Sequence, residues 1–149
     1  MKIRPATIED LAAMQALGMH MHAESPRFSV MKYDEHKVSL LLRTAIDDPA
    51  YFLMVAEKKD GDIIGGFLGY VAPMWFSHDL AAADLALFIE QDRRGGMAAA
   101  RLVRDYIAWA RERGAKKITA GISTGVSPEE TAKLFEAVGM KLYGYLFEA

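Results

Sequence analysis

Apolar residues return every three or four positions early in the chain, at Leu11, Met14, Leu17 and Met21 with Gly18 between them. That is the spacing of one helical face. Thr7 can cap this helix, with Asp10 three residues later as in a capping box, and Pro26 requires it to end. Lys2–Ala6 precedes it as a short edge strand in which Pro5 is tolerated. A second helix is predicted over Asp34–Asp47, with Val38, Leu41, Leu42 and Ala45 on one face and Pro49 closing it.

The period then changes. Tyr51–Glu57 and Ile63–Ala72 are dense apolar runs joined by Lys58-Lys59-Asp60-Gly61-Asp62, whose Asp-Gly pair signals a hairpin. Pro73–Asp79 reads as a loop carrying Trp75 and Phe76, and Ala82–Ile89 as a third strand of this group. The clearest element follows: Ala99, Leu102, Val103, Tyr106, Ile107 and Ala110 form one helical stripe, and Gly114 stops the helix. Lys117–Gly121 is a predicted strand. Ser127-Pro128-Glu129-Glu130 opens another helix with a cap, a first-turn proline and acidic residues. Leu134, Phe135 and Val138 lie on its face, and Gly139 ends it. Lys141–Phe147 alternates, with Leu142, Gly144 and Leu146 against Tyr143, Tyr145 and Phe147, and predicts a terminal strand. The order β-α-α-β-β-β-α-β-α-β implies an α+β sheet covered by helices on both faces.

Composition bounds this picture. The 149 residues, 52% hydrophobic and 26% charged, suit one globular domain spanning 1–149. A net charge of −2 supplies no field for nucleic acid. The absence of cysteine excludes disulfides, thiolate nucleophiles and Cys-ligated metals. No apolar run reaches the roughly 20 residues of a membrane span, and Met1-Lys2-Ile3-Arg4-Pro5 lacks the apolar core of a signal peptide. A cytoplasmic protein is the expectation. His20 and His22 are two apart on a helix, the wrong spacing for a metal pair, so no metal is expected.

Candidate chemistry concentrates in Asp92-Arg93-Arg94-Gly95-Gly96-Met97-Ala98-Ala99. This is a basic, Gly-rich turn between a strand and a helix. The first N–H groups of a helix lack intrahelical partners and sit at the positive end of its dipole, so such a turn can hold phosphate. The competing interpretation is an ordinary helix start. A nucleoside-triphosphate site is disfavoured, since no Gly-Lys-Ser/Thr is present, and the glycine pattern is wrong for a Rossmann site.

The element order and this turn resemble the GNAT family of acyl-CoA-dependent N-acetyltransferases. The resemblance covers nearly the whole chain. It includes the opening Ile3-Arg4-Pro5-Ala6-Thr7 with Asp10, and the closing Leu134-Phe135-Glu136-Ala137-Val138-Gly139-Met140. It implies a mixed central sheet of six to seven strands and acetyl-CoA as co-substrate, with Arg/Gln-x-x-Gly-x-Gly/Ala around its pyrophosphate. Two registers fit. Arg93–Ala98 matches the spacing fully. Arg94–Ala99 keeps the flanking positions better and is preferred, at the cost of Met97 where the family has its first glycine. That side chain is tolerable if φ stays negative. The resemblance also assigns backbone roles toward the pantetheine arm and thioester to Phe88 and Ile89.

The reaction needs the two reactants aligned, a proton acceptor and stabilisation of an oxyanion. Asp84, Glu90 and His78 are the candidate bases. Strand alternation places Asp84 and Glu90 on one face with Ala86 and Phe88. The bland alternatives are a solvated turn residue for Glu90, a loop-bonding carboxylate for Asp84 and a simply exposed His78. The family's tyrosine acid falls on Phe135, which has no proton to give, leaving water, Tyr106 or Tyr143 in that role. The resemblance puts a small-molecule or peptide amine near His20, His22, Glu24, Met31, Tyr33, Trp75, Phe76 and His78. The alternative for the aromatics is core burial or a homodimer contact. Phe135 and Met97 also keep open a module that binds acyl-CoA without transfer, or an interaction protein.

Overall fold

The computed structural model describes residues 1–149. Strand β1 (Lys2–Pro5) leads through a 3₁₀ turn (Ile8–Asp10) into helices α1 (Leu11–Glu24) and α2 (Glu35–Asp47). Strands β2 (Tyr51–Glu57), β3 (Ile63–Pro73) and β4 (Leu80–Ile89) follow. A second 3₁₀ turn (Gln91–Arg93), α3 (Met97–Glu112), β5 (Lys117–Ile118) and α4 (Pro128–Ala137) complete the chain. The sheet order is β1-β2-β3-β4-β5, antiparallel as far as β4 and parallel between β4 and β5.

The sheet is buried on both faces, which is why β2 and β3 read as continuous apolar runs. Phe52, Phe67, Ala82, Leu102, Val103, Tyr106, Ala110 and Phe135 pack on the α3 side, and Met14, Leu17, Leu42, Leu53, Val55, Leu68 and Phe88 on the side of α1 and α2. The Phe67 and Tyr106 rings stack at 4.5 Å. Gly69 makes this possible, since a Cβ there would lie 2.8 Å from the Tyr106 ring. The Tyr106 hydroxyl donates to the Thr119 carbonyl at 2.9 Å, tying the end of β5 to α3.

The Thr7–Asp10 corner forms as expected, but Arg4 also joins it. The buried Asp10 carboxylate accepts from the Thr7 N–H at 2.8 Å and from the Arg4 guanidinium at 2.7 and 2.9 Å. Arg4 Nε donates to Glu57 at 2.7 Å, so one side chain joins β1, the first turn and β2. The guanidinium holds the Asp10 carboxyl below its usual range.

Three expectations are corrected. The sheet has five strands, not six to seven. Lys141–Phe147 is no strand: it makes no backbone–backbone hydrogen bond, and Tyr143, Tyr145 and Phe147 are exposed. Alternation supplies a face, but a strand also needs a neighbour to bond. The predicted strand Lys117–Gly121 is shortened to Lys117–Ile118, because the Gly121 N–H turns to the Asp84 side chain at 2.9 Å rather than to the β4 backbone.

A further correction concerns β4. Leu68 pairs with Ala86 but Gly69 with Asp84, so Leu85 is an extra residue, a β-bulge. The bulge reverses the alternation. Asp84 shares the α3 face with Ala82, whereas Ala86 and Phe88 point to α1 and α2. Asp84 and Glu90 therefore do not share a face.

Candidate functional site

β4 carries the site because β5 accompanies it only at its start. Ala81 and Ala82 pair with Lys117 and Ile118, and the chain then leaves the ladder. On the other side, the Glu90 N–H donates to the Ile64 carbonyl at 2.8 Å. Antiparallel pairing alternates by two, so Phe88 and Ala86 point their backbone groups at β3, while Leu87 and Ile89 point theirs at the open edge. The Arg94 guanidinium agrees, since its Nε donates to the Ile89 carbonyl at 3.2 Å. Of the two expected backbone positions, Ile89 faces the opening. Phe88 is committed to the sheet, and Leu87 takes its place at the edge. Only the ladder phase reveals Leu87.

At the end of this edge lies the Gly-rich turn. Gly95 has φ +80°, the left-handed region that a side chain disfavours, and Gly96 caps α3 from an extended conformation. The N–H groups of Gly95, Gly96, Met97, Ala98 and Ala99 make no hydrogen bond within the protein. Met97 opens α3 with its side chain exposed and without positive φ, so its backbone is unstrained there. Ala98 is buried and anchors the helix start. Arg93 is exposed and lies 4.0 Å from Glu90 and 3.9 Å from Asp92.

The Arg94 side chain is already engaged. Its two terminal nitrogens donate to the two Glu24 oxygens at 2.5 and 2.6 Å, holding that carboxyl below its usual range. Glu24 is the last residue of α1. Beyond it, the Ser25 hydroxyl donates to the Thr124 carbonyl at 2.5 Å, and Arg27 donates to the Ser123 carbonyl and pairs with Glu148. The corner after α1 thus reaches both the turn after β4 and the segment after β5. Sequence spacing gave no sign of this, since Glu24 and Arg94 are 70 residues apart.

The candidate bases separate. Asp84 sits at the bulge, where β4 and β5 part. Burial pushes its carboxyl above the usual carboxylate range, although it accepts from the Gly121 N–H at 2.9 Å. Glu90 is an exposed residue of the turn. His78 is exposed in the β3–β4 loop, at the opposite end of β4 from the turn. A ten-residue strand places those two ends roughly 30 Å apart. Trp75 and Phe76 stand at that far end too, exposed and edge-to-face at 5.2 Å.

His22 and Tyr33 lie nearer the turn, with ring centroids 5.3 Å apart. The expected acceptor-side residues thus form two groups rather than one. Of the two substitute acids, Tyr106 is fully buried and hydrogen-bonded, and Tyr143 is exposed on the tail. Phe135 is core. Ser127, the expected cap of α4, makes no side-chain cap bond and adopts φ 43°. No group of His, Cys, Asp and Glu is assembled that could hold a metal ion. No helix is long and apolar enough to cross a membrane.

A five-stranded mixed sheet thus lies between two helical layers and opens beside a strand–turn–helix with unpartnered N–H groups. Residues 17–140 match the acetyltransferase (GNAT) family, and the chain belongs to it. No curated protein matches. Among solved structures, a putative acetyltransferase from Agrobacterium tumefaciens is similar at 15% identity and TM-score 0.77, covering 100% of this chain and 99% of that one. A transcriptional regulator from Bacillus halodurans is similar at 21% identity and TM-score 0.76, covering 99% and 97%. An aminoglycoside 6′-N-acetyltransferase from Acinetobacter haemolyticus is similar at 11% identity and TM-score 0.75, covering 100% and 97%. At these identities the likeness shows a shared fold.

Proposed function

We propose that this protein transfers the acetyl group of acetyl-CoA to a primary amine by direct attack in a ternary complex. The observation that carries the reading is the run of five unpartnered N–H groups, Gly95–Ala99, beside Arg94 at the end of the open β4 edge. These groups would hold a pyrophosphate through hydrogen bonds and the α3 dipole, with Arg93 adding charge. The Leu87 and Ile89 backbone groups would pair with the extended arm.

Bound acetyl-CoA supplies an activated thioester. The chain's part is alignment and proton transfer. The amine nitrogen bonds to the acyl carbon, the carbon–sulfur bond breaks, and the thiolate leaves. The amine proton passes to Asp84 directly or through water, which its raised carboxyl pKa favours. A thiolate leaves tolerably near neutral pH, since free thiols titrate at about 8.5, so the core position of Phe135 does not stop the reaction. The acceptor is a small-molecule or peptide amine.

Calorimetric titration with CoA tests the site. The wild type binds, and Arg94→Ala binds roughly tenfold more weakly, the loss of one charge-assisted contact. Millimolar CoA that neither binds nor raises the unfolding midpoint would refute the reading. Phe135 and the tied Tyr106 favour a second reading, a CoA-binding module without transfer. Acetyl-CoA consumption with a broad amine panel separates the two.

A further inference from the structure

Strand β1 is shorter than the strand it accompanies. Its last pair is Pro5 with Met54, whereas β2 begins at Tyr51. Beyond that pair the Leu53 carbonyl still accepts from the Ala6 N–H at 3.1 Å, but the Ala6 carbonyl receives nothing back from Leu53. On the other side of β2, the Val71 N–H donates to the Ala50 carbonyl at 2.9 Å. That bond fixes the phase: Ala50 and Phe52 face β3, while Tyr51 and Leu53 face the side that β1 has left. The Tyr51 N–H is used in a turn, to the Asp48 carbonyl at 3.0 Å. The Tyr51 carbonyl and the Leu53 N–H are therefore the open groups of this edge.

A groove of about 560 Å³ lies over this stretch. Pro5 and Ala6 border it where β1 ends. The last turn of α2 walls it from one face of the sheet, and the stripe Asp105, Ala108, Trp109 and Glu112 of α3 walls it from the other. The two helical layers thus overhang the sheet edge and leave a gap in the plane of the sheet, the shape that a strand fills. Ile46, Pro49 and Trp109 give it apolar walls. Its charges are all of one sign: Asp47 and Asp48 on the α2 side, Asp105 and Glu112 on the α3 side, with no Lys, Arg or His in the lining. None of these carboxylates is in an ion pair. Arg113, outside the lining, rests its guanidinium over the Trp109 ring at 5.9 Å.

We propose that this slot takes an extended basic peptide segment of another protein, which continues the sheet in the place of β1 along Tyr51–Leu53 and sets Lys or Arg side chains against the carboxylates on both sides. Strand addition supplies the backbone bonds: a peptide N–H donates to the Tyr51 carbonyl, and a peptide carbonyl accepts from the Leu53 N–H. Successive side chains of a strand point to opposite faces, so one set meets Asp47 and Asp48 and the other meets Asp105 and Glu112. The long stems of Lys and Arg lie along Ile46 and Trp109, with their charged heads beside the carboxylates. β3 stands between this strand and β4, so the slot is on the other side of the sheet from the β4 edge. The inference therefore stands apart from the reaction proposed above and is tested without CoA.

Trp75→Phe leaves Trp109, in the wall of the groove, as the single tryptophan. Its fluorescence is followed while the end-capped hexapeptide Arg-Val-Arg-Arg-Val-Arg is added, a peptide with no primary amine to acetylate. The spectrum should shift, with a Kd on the order of 100 µM at low salt that rises with ionic strength. The acidic counterpart Glu-Val-Glu-Glu-Val-Glu should not bind. The basic peptide with its central residues N-methylated loses its backbone donors and should bind ~10-fold or more weakly. The triple change Asp47→Lys, Asp105→Lys and Glu112→Lys, at exposed positions, should weaken binding at least as much. No spectral change at millimolar basic peptide overturns the proposal. So does equal binding by the N-methylated peptide, by the acidic peptide or by the triple variant. Arginine amide that binds as tightly as the hexapeptide also overturns it, since the groove would then be a site for small cations. Should the triple variant fail to fold, the peptide comparisons on the unaltered groove still decide.

Discussion

Glu24→Gln should make the protein bind CoA more tightly. Arg94 holds both Glu24 oxygens at 2.5 and 2.6 Å. A pyrophosphate arriving at the turn must share that guanidinium or displace the carboxylate. Glutamine keeps the side chain's length and removes its charge. The two side chains are 32% and 27% exposed, so solvent screens the pair and the loss is discounted to the exposed-pair range, about 0.5–1 kcal/mol. At 1.4 kcal/mol per tenfold, that predicts a Kd about 2–5-fold lower. Calorimetric titration of both proteins with CoA at low salt measures it, and the ratio should shrink as ionic strength rises. Equal or weaker binding by Glu24→Gln would refute the reasoning: Glu24 would then orient Arg94 for the ligand rather than compete for it.

Asp10→Asn should destabilise the fold by about 2 kcal/mol through its charge-assisted bonds to Arg4 and Thr7. Thermal unfolding should record a Tm roughly 4–8 °C lower. The folded carboxyl titrates below the unfolded one, so its contribution is full above about pH 4 and is lost as pH falls through the depressed value. The gap between variant and wild type should therefore close in acid. Leu102→Ala, at a site with 0% exposure, should cost about 2–5 kcal/mol, read as a lower urea midpoint. Asp84→Asn can still accept from the Gly121 N–H, so it tests the proton-accepting role with the fold kept. The acid limb of kcat/KM should lie above the ordinary carboxylate range in the wild type. The variant should lose that limb and about 10²–10⁴-fold in rate. An unchanged profile would leave Asp84 a purely structural acceptor.

Most elements were legible because their signals are local. The α3 stripe, the Asp34 cap of α2, the Asp60-Gly61 hairpin and the stop at Gly114 each depend on residues a few positions apart. The Gly-rich turn was legible for the same reason, since the strand, the glycines and the helix start are consecutive. What failed was non-local. A bulge at Leu85 arises from pairing with β3 and moved Asp84 away from Glu90. His78, a candidate base, stands in the loop before β4 and far from the turn, and Leu87 was not among the candidates because its exposure to the open edge depends on ladder phase.

The sequence by itself determined the order of elements, the burial of the sheet on both faces and the strand–turn–helix that can take an anion. These follow from periodicity, glycine and proline, and the unpaired N–H groups of any helix start. Only the tertiary structure decided that Asp84 lies where β4 and β5 part, that Glu24 holds Arg94, and that the alternating tail stays unpaired. Each depends on which distant segment supplies a hydrogen-bonding or charged partner. A chain's local pattern states what a residue can bond, and only the fold brings the other group to it.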